Sequence, residues 1–215
     1  MRRPKGSKGR QRTDFLSEHD AELILEAAYS QSFAFGTFLQ FLLYTGARLG
    51  EALALRWENI EPPLAYVGMT KNGDPRTVRL RDDVSRNLTL LKGDATHGPV
   101  FPFRRGGGFK ERLVRARVEA SGQKMPKRKR IMTAAERRPP PHRLHWVTFH
   151  TFRHTWATWM RRHAGLDEIG LVATGNWRDP RSARRYAHTV ARDEWSRVEM
   201  LPAIDGTWKN RGIKQ

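Results

Sequence analysis

His150 and Arg153 stand three residues apart in the run Phe149-His150-Thr151-Phe152-Arg153-His154, and on a helix that spacing puts both on one flank. An imidazole beside a guanidinium suits an anionic centre. Arginine donates two parallel hydrogen bonds to a phosphate, and histidine passes a proton near neutral pH. On the same helix Phe149, Phe152, Trp156, Trp159, Met160 and His163 form a stripe that faces elsewhere. A phosphate centre built on this pair still needs a nucleophile and a second clamp. Tyr186 is the candidate for the first and Arg48 for the second.

Several elements must carry these groups. Ser17-Glu18-His19-Asp20 reads as a capping box that opens a first helix, with Ser17 accepting from a free backbone amide and Asp20 reaching back. A second helix from about Phe33 has Phe35, Phe38, Leu39, Leu42 and Leu43 at helical spacing, which makes them core. Thr45-Gly46-Ala47 breaks it, and a short helix from Arg48 to about Trp57 buries Leu49, Ala52, Leu53 and Leu55 or Trp57. A cation at a helix start opposes the helix dipole, so Arg48 makes sense beside a bound anion; the bland reading is a surface arginine. Leu64 to Met69 and Arg76 to Leu80 read as strands around Lys71-Asn72-Gly73-Asp74-Pro75, whose Asn-Gly is a hairpin turn signal that puts Lys71 at the tip. Helices follow from Asp82 to Leu91, from Phe109 to Ala120 and from Asp167 to Ala173. Asp179-Pro180 resembles a further helix start that continues through His188, and Val190 to Leu201 is a last amphipathic segment.

Lys and Arg number 40 against 22 Asp and Glu in 215 residues, a formal charge of +18. Compaction alone does not favour such an excess, and a polyanion explains it: nucleic acid first, an anionic membrane surface second. No apolar run approaches the roughly 20 residues that span a bilayer, and the basic N-terminus lacks the apolar centre of a signal peptide. Zero cysteines remove disulfides, thiolate zinc sites and thiol nucleophiles, which fits a reducing compartment. One domain is the default at this length. Residues 1–12 form a basic flexible arm or a solvated linker, 13–202 the folded domain, and 203–215 a polar tail. Within the domain, residues 121–145 hold eight Lys and Arg with Pro139-Pro140-Pro141 and little to bury. They read as an exposed insertion that either touches DNA backbone or is merely solvated.

Thr45-Gly46-Ala47-Arg48-Leu49-Gly50-Glu51, the hairpin Lys71, His150-x-x-Arg153-His154, and Trp177 nine residues before Tyr186 together resemble the tyrosine recombinase (phage integrase) catalytic domain, in order and spacing, over roughly residues 13 to 200. The fold this implies is mainly α, a helical domain with a small antiparallel sheet or hairpin. The function it implies is site-specific DNA recombination, with strands broken and rejoined through a 3′-phosphotyrosyl intermediate and a Holliday junction. By the same resemblance Arg48 and Arg153 hold the non-bridging oxygens of one scissile phosphodiester. That is sound physically, because a five-coordinate phosphorane gathers charge that two preorganised guanidiniums stabilise beyond the ground state.

Tyr186 is implied as the nucleophile, and a phenol with a pKa near 10 needs a cationic pocket to lose its proton. Arg184 and Arg185, just before it, raise the local positive potential. His150 resembles the family's histidine that accepts the tyrosine's proton or steadies the phosphate, and His154 a structural hydrogen bonder. Lys71 resembles the hairpin lysine that protonates the departing 5′-oxygen. Trp177 stands where most members have histidine, and Gly175-Asn176-Trp177 replaces the common Leu-Gly-His. Its indole N–H donates a hydrogen bond and cannot shuttle a proton; the rival reading is a core tryptophan. Glu51 orients Arg48, and the vicinity of these motifs lacks acidic clusters for two-metal phosphoryl transfer.

No cofactor and no metal is expected. The expected partners are double-stranded DNA and three further copies of the chain in a tetramer on DNA, with a monomer or weak oligomer when free, in bacterial or phage-infected cytoplasm at the nucleoid. Family members commonly carry an N-terminal helical DNA-gripping domain; the chain is then a fragment or one of the short recombinases without it. Type IB topoisomerase-like relaxation and a non-catalytic DNA-binding module are the alternatives.

Overall fold

The computed structural model describes residues 15–68, 75–126, 138–177 and 180–184. Its elements are α1 (Glu18–Gln31), α2 (Phe33–Thr45), α3 (Leu49–Leu53), a 3-10 turn (Trp57–Asn59), β1 (Ile60–Glu61), β2 (Leu64–Val67), β3 (Arg76–Arg79), α4 (Asp82–Lys92), α5 (Gly107–Ala120), α6 (Phe149–Arg162), α7 (Glu168–Ala173) and α8 (Pro180–Ala183). The chain is thus mostly helical with a small antiparallel sheet in the order β1-β2-β3, as the resemblance implies. In its register Ala65 faces Val78 and Val67 faces Arg76. Ala65, Val67 and Val78 turn to the core while Thr77 and Arg79 face solvent, the alternation of a half-buried hairpin.

The centre of the fold is α2. It is buried on every side, and Phe35, Phe38, Leu39, Phe41, Leu42 and Leu43 are all fully buried. It packs against α1, α4 and α6. Phe38 meets Phe101 at 5.0 Å and Phe109 at 5.3 Å, both edge-on, and Phe109 stacks on Phe149 at 4.8 Å. Such pairs contribute about 0.5–1.5 kcal/mol each beyond their buried area. The ring cluster anchors the first residue of α6, the helix that carries His150 and Arg153. Phe38→Ala is therefore expected to lower stability by about 3–5 kcal/mol, read as a shift in the urea midpoint with little change in slope.

Three details differ from the sequence expectations. First, Ser17 caps α1 as expected, its Oγ accepting from the Asp20 amide at 3.1 Å, but the Asp20 carboxylate accepts from Arg143 Nη1 where the capping box has it reach back. Second, the helix expected to run from Arg48 to Trp57 ends at Leu53. Leu55–Trp57 pairs instead with Gly98–Val100: the Val100 amide donates to Leu55 O and the Trp57 amide to Gly98 O, each at 2.9 Å. That pairing brings Val100 and Phe101 into the core, a long-range gain that local helix propensity does not register. Third, the far end of the 121–145 stretch is no exposed insertion. His142 and Leu144 are buried, and Arg117 Nη1 donates to the carbonyls of His145 (2.9 Å) and Val147 (2.5 Å). Residues 127–137 lie outside the described residues, as do the arm 1–12 and the segments expected from Val190 onward.

Candidate active site

The turn from α2 into α3 delivers Arg48. Gly46 ends α2 with φ +63°, a left-handed cap that glycine adopts without strain. A Cβ there would also stand 2.6 Å from the Trp156 ring, so the site requires glycine twice over. Arg48 is the residue just before α3. Its backbone N–H donates to Glu51 Oε2 at 2.8 Å and its Nη1 to Glu51 Oε1 at 2.7 Å, so Glu51 does orient it. The Arg48 side chain stays 55% exposed. Glu51 is also gripped by Arg76, the first residue of β3, whose Nη2 donates to Oε2 at 2.9 Å.

Helix α6 delivers the other pair. Thr148 stands before its first turn, its amide donating to Thr151 Oγ1 at 2.9 Å. Leu16, just before α1, ties the middle of α6 down through its amide to Thr155 Oγ1 at 2.9 Å. His150 is exposed and sits edge-on to the buried His154, ring centroids 4.4 Å apart. The sequence puts His150 and Arg153 together on an open flank, with the apolar stripe elsewhere. In the fold Arg153 is only 3% exposed, and Thr151, His154, Thr155 and Thr158 are buried as well. The reason is a second apolar cluster of Trp156, Ala157, Leu171, Trp177 and Ala183, which covers α6 on the side away from the main core. A helix between two layers has no single dry face.

Arg153 is held from several directions. Its Nη1 donates to Gly46 O at 2.5 Å and to Asn176 Oδ1 at 2.7 Å, and its Nη2 donates to Asn176 O. Its guanidinium lies 4.3 Å from the Trp177 ring centroid. Trp177 itself is buried and stacks on Trp156 at 6.0 Å and 22°. That packing matches the core-tryptophan reading, with a cation over the ring face added to it. Arg48 reaches the same turn, its Nη2 donating to Asn176 O at 3.4 Å. Arg48 and Arg153, 105 positions apart in the chain, thus converge on one residue. Lys71 and Tyr186 lie outside the described residues. Sequence reading missed Arg76 and Asn176; the only local signal was an amide at 176 between a glycine and a tryptophan.

Burial alone raises the Glu51 carboxyl pKa. Hydrogen bonds from Arg76 and from the Arg48 backbone and side chain outweigh it and hold the group below its ordinary 4.5. A depressed folded-state value means that this carboxylate stabilises the fold above the unfolded value and loses that contribution as the pH falls through the folded one. Stability of the wild type is expected to fall with acid below about pH 4.5, and more steeply than that of Glu51→Gln, in thermal melts across that range. Parallel curves for the two proteins would contradict the pairing.

Among the described residues no three His, Asp or Glu side chains group closely enough to hold a metal ion, and no helix is long and apolar enough to cross a membrane. The shufflon-specific DNA recombinase of Escherichia coli is 28% identical over 207 residues, 94% of this chain and 46% of the relative. The chain spans about half the length of the curated relatives it matches. Among solved structures, the catalytic domain of bacteriophage HP1 integrase superposes with a TM-score of 0.60 at 22% identity, covering 87% of this chain and 95% of that one. The lambda integrase tetramer bound to a Holliday junction does so with a TM-score of 0.54 at 19% identity, covering 76% of this chain and 47% of that one. These likenesses establish the fold. The model of the phage integrase family matches residues 14–192, well over half of the 215 residues, and the chain belongs to that family.

Proposed function

We propose that the chain catalyses site-specific DNA strand exchange by phosphodiester transesterification, with Tyr186 as nucleophile. The observation that carries this reading is the convergence of Arg48 and Arg153, from different elements, on one turn that the Trp177 ring closes. Two guanidiniums preorganised in a partly dry pocket stabilise the charge of a phosphorane and need no reorganisation when it forms.

The Tyr186 hydroxyl oxygen attacks the phosphorus, the bond from phosphorus to the 5′-oxygen breaks, and a 3′-phosphotyrosyl bond replaces it. The exposed His150 accepts the phenol proton or steadies the phosphate, and Lys71 protonates the leaving 5′-oxygen. A 5′-hydroxyl from the partner duplex then attacks the phosphotyrosine and returns the tyrosine. One phosphodiester is exchanged for another, so the sequence of steps consumes neither ATP nor water. The excess of 40 basic over 22 acidic residues supplies the attraction for duplex DNA. Exchange between two duplexes needs four protomers, as in the lambda integrase tetramer on its junction. The working compartment is the cytoplasm of a bacterial or phage-infected cell.

The test is a nicked duplex carrying the attachment site, on which the cleaved end diffuses away and traps the intermediate. A covalent protein–DNA adduct with a free 5′-hydroxyl, formed with a chelator present, is the expected result. Tight DNA binding with no adduct would make the chain a binding module instead.

A further inference from the structure

We infer that Asn176 is a positioning residue for the scissile phosphate, a neutral pin on which three guanidiniums are set, and that Arg76 is the third of them. This rests on the strand-exchange reading above. Asn176 is 1% exposed, and both ends of its amide are used. Oδ1 accepts from Arg153 Nη1 at 2.7 Å and from Arg76 Nη2 at 2.9 Å. Nδ2 points the other way, 3.3 Å from Thr45 O and 3.4 Å from Thr174 Oγ1. The backbone oxygen of the same residue accepts from Arg153 and Arg48. Only one orientation of the amide works, because the reverse would set two N–H donors against two guanidiniums.

The Arg76 side chain, like that of Arg153, is largely buried. It is 7% exposed, and its Nη2 bridges Glu51 and Asn176. Gly175, at φ +73°, lets its stem pass: a Cβ there would meet the Arg76 side chain at 3.0 Å. Among the described residues its buried Nε has no hydrogen-bond partner. That buried donor is a cost the fold accepts to hold the guanidinium between Glu51 and Asn176.

Charge decides the rest. This network holds three guanidiniums against the one carboxylate of Glu51. For the arginines alone aspartate would be the stronger tether, since it has the same shape and its charged hydrogen bonds are about twice as strong, although its second oxygen would face the Thr45 carbonyl that Nδ2 now faces. Aspartate would also cancel the positive charge and compete with the phosphate for the same donors. An amide holds the geometry and leaves the charge for DNA.

Asn176→Asp and Asn176→Ala separate this from a structural role, with single-turnover adduct formation on the nicked duplex, DNA affinity by gel shift, and thermal midpoint as readouts. Asn176→Asp, which exchanges the Nδ2 contact with Thr45 O for charged bonds to the arginines, is expected to stay folded and to form adduct about 100-fold more slowly or worse, the cost of spoiling a preorganised charge-stabilising site. Asn176→Ala, which adds no charge, is expected to bind DNA as wild type does and form adduct at least about tenfold more slowly at saturating protein. Wild-type adduct rates in both folded variants would overturn the inference and leave the strand-exchange reading standing. Should Asn176→Asp not fold, Asn176→Ala decides alone. Failure of both to fold makes Asn176 a folding residue and also overturns it. No adduct from the wild type would fail the strand-exchange reading itself.

Discussion

Replacing Arg153 by alanine is expected to cost about 3–5 kcal/mol of folding stability, the range for removing one partner from a buried charged network. The change takes the Arg153 donor from the carbonyl of Gly46, leaves each oxygen of Asn176 with one guanidinium instead of two, and opens a gap beneath the Trp177 ring. Domains of this size hold only about 5–15 kcal/mol in total, so the alanine variant would be marginal. Arg153→Lys is the sharper experiment. It keeps the charge and most of the stem, but one ammonium cannot span two sets of acceptors in the way a planar fork does. Arg153→Lys should stay folded at 25 °C, with a lowered urea midpoint, and form covalent adduct roughly 100- to 1000-fold more slowly, the usual effect of losing one preorganised donor to a transition state. A lysine variant that cleaves at the wild-type rate would remove Arg153 from the chemistry and leave it a packing residue.

Tyr186→Phe has the larger effect on chemistry and the smaller on stability. Only one oxygen is lost, so DNA affinity and its dependence on salt, which reflect phosphates neutralised by lysine and arginine, should not change. Adduct formation should disappear, since a phenyl ring has no atom that can bond to phosphorus. The four tyrosines make the comparison clean. Tyr29 donates to Gln40 Oε1 at 2.7 Å, Tyr44 lies beneath the Arg81 guanidinium at 4.5 Å, and Tyr66 donates to Glu61 at 3.3 Å, each in a structural contact. Burial pushes the phenols of Tyr29 and Tyr44 up, further from the ionised form a nucleophile needs. Residual adduct in Tyr186→Phe would mean that another side chain attacks.

How far the fold and site could be read from sequence follows the range of the interactions involved. The helix Phe149–Arg162 and the helix Phe33–Thr45 are legible because their apolar residues recur at short, regular spacing, and Arg48 and Glu51 because their contact is local. The hairpin strands were visible from alternation and a turn signal, and the sheet gained a third, two-residue strand too short to show a period. The burial of Arg153 was not legible. It depends on a turn around Gly175 and Asn176 that folds back over α6, 23 positions beyond Arg153 and past the whole of α7. Arg76 and Asn176 were missed for the same reason: an arginine opening a strand and an asparagine after a glycine look like surface residues until their partners, 100 positions apart, are brought together. The same long-range effect stopped the helix after Leu53, where pairing with Gly98–Val100 competes successfully with helix propensity.

The most direct measurement is the identity of the residue that carries DNA. The adduct trapped on a nicked attachment site, digested with nuclease and trypsin, should leave a 3′-linked nucleotide on the peptide from Tyr186 to Arg192, because trypsin cuts after Arg185 and after Arg192. Fragment masses should place it on the phenol oxygen of Tyr186. A nucleotide found on any other peptide, or on a serine or histidine, would contradict the convergence of Arg48, Arg153 and Tyr186 on one phosphorus.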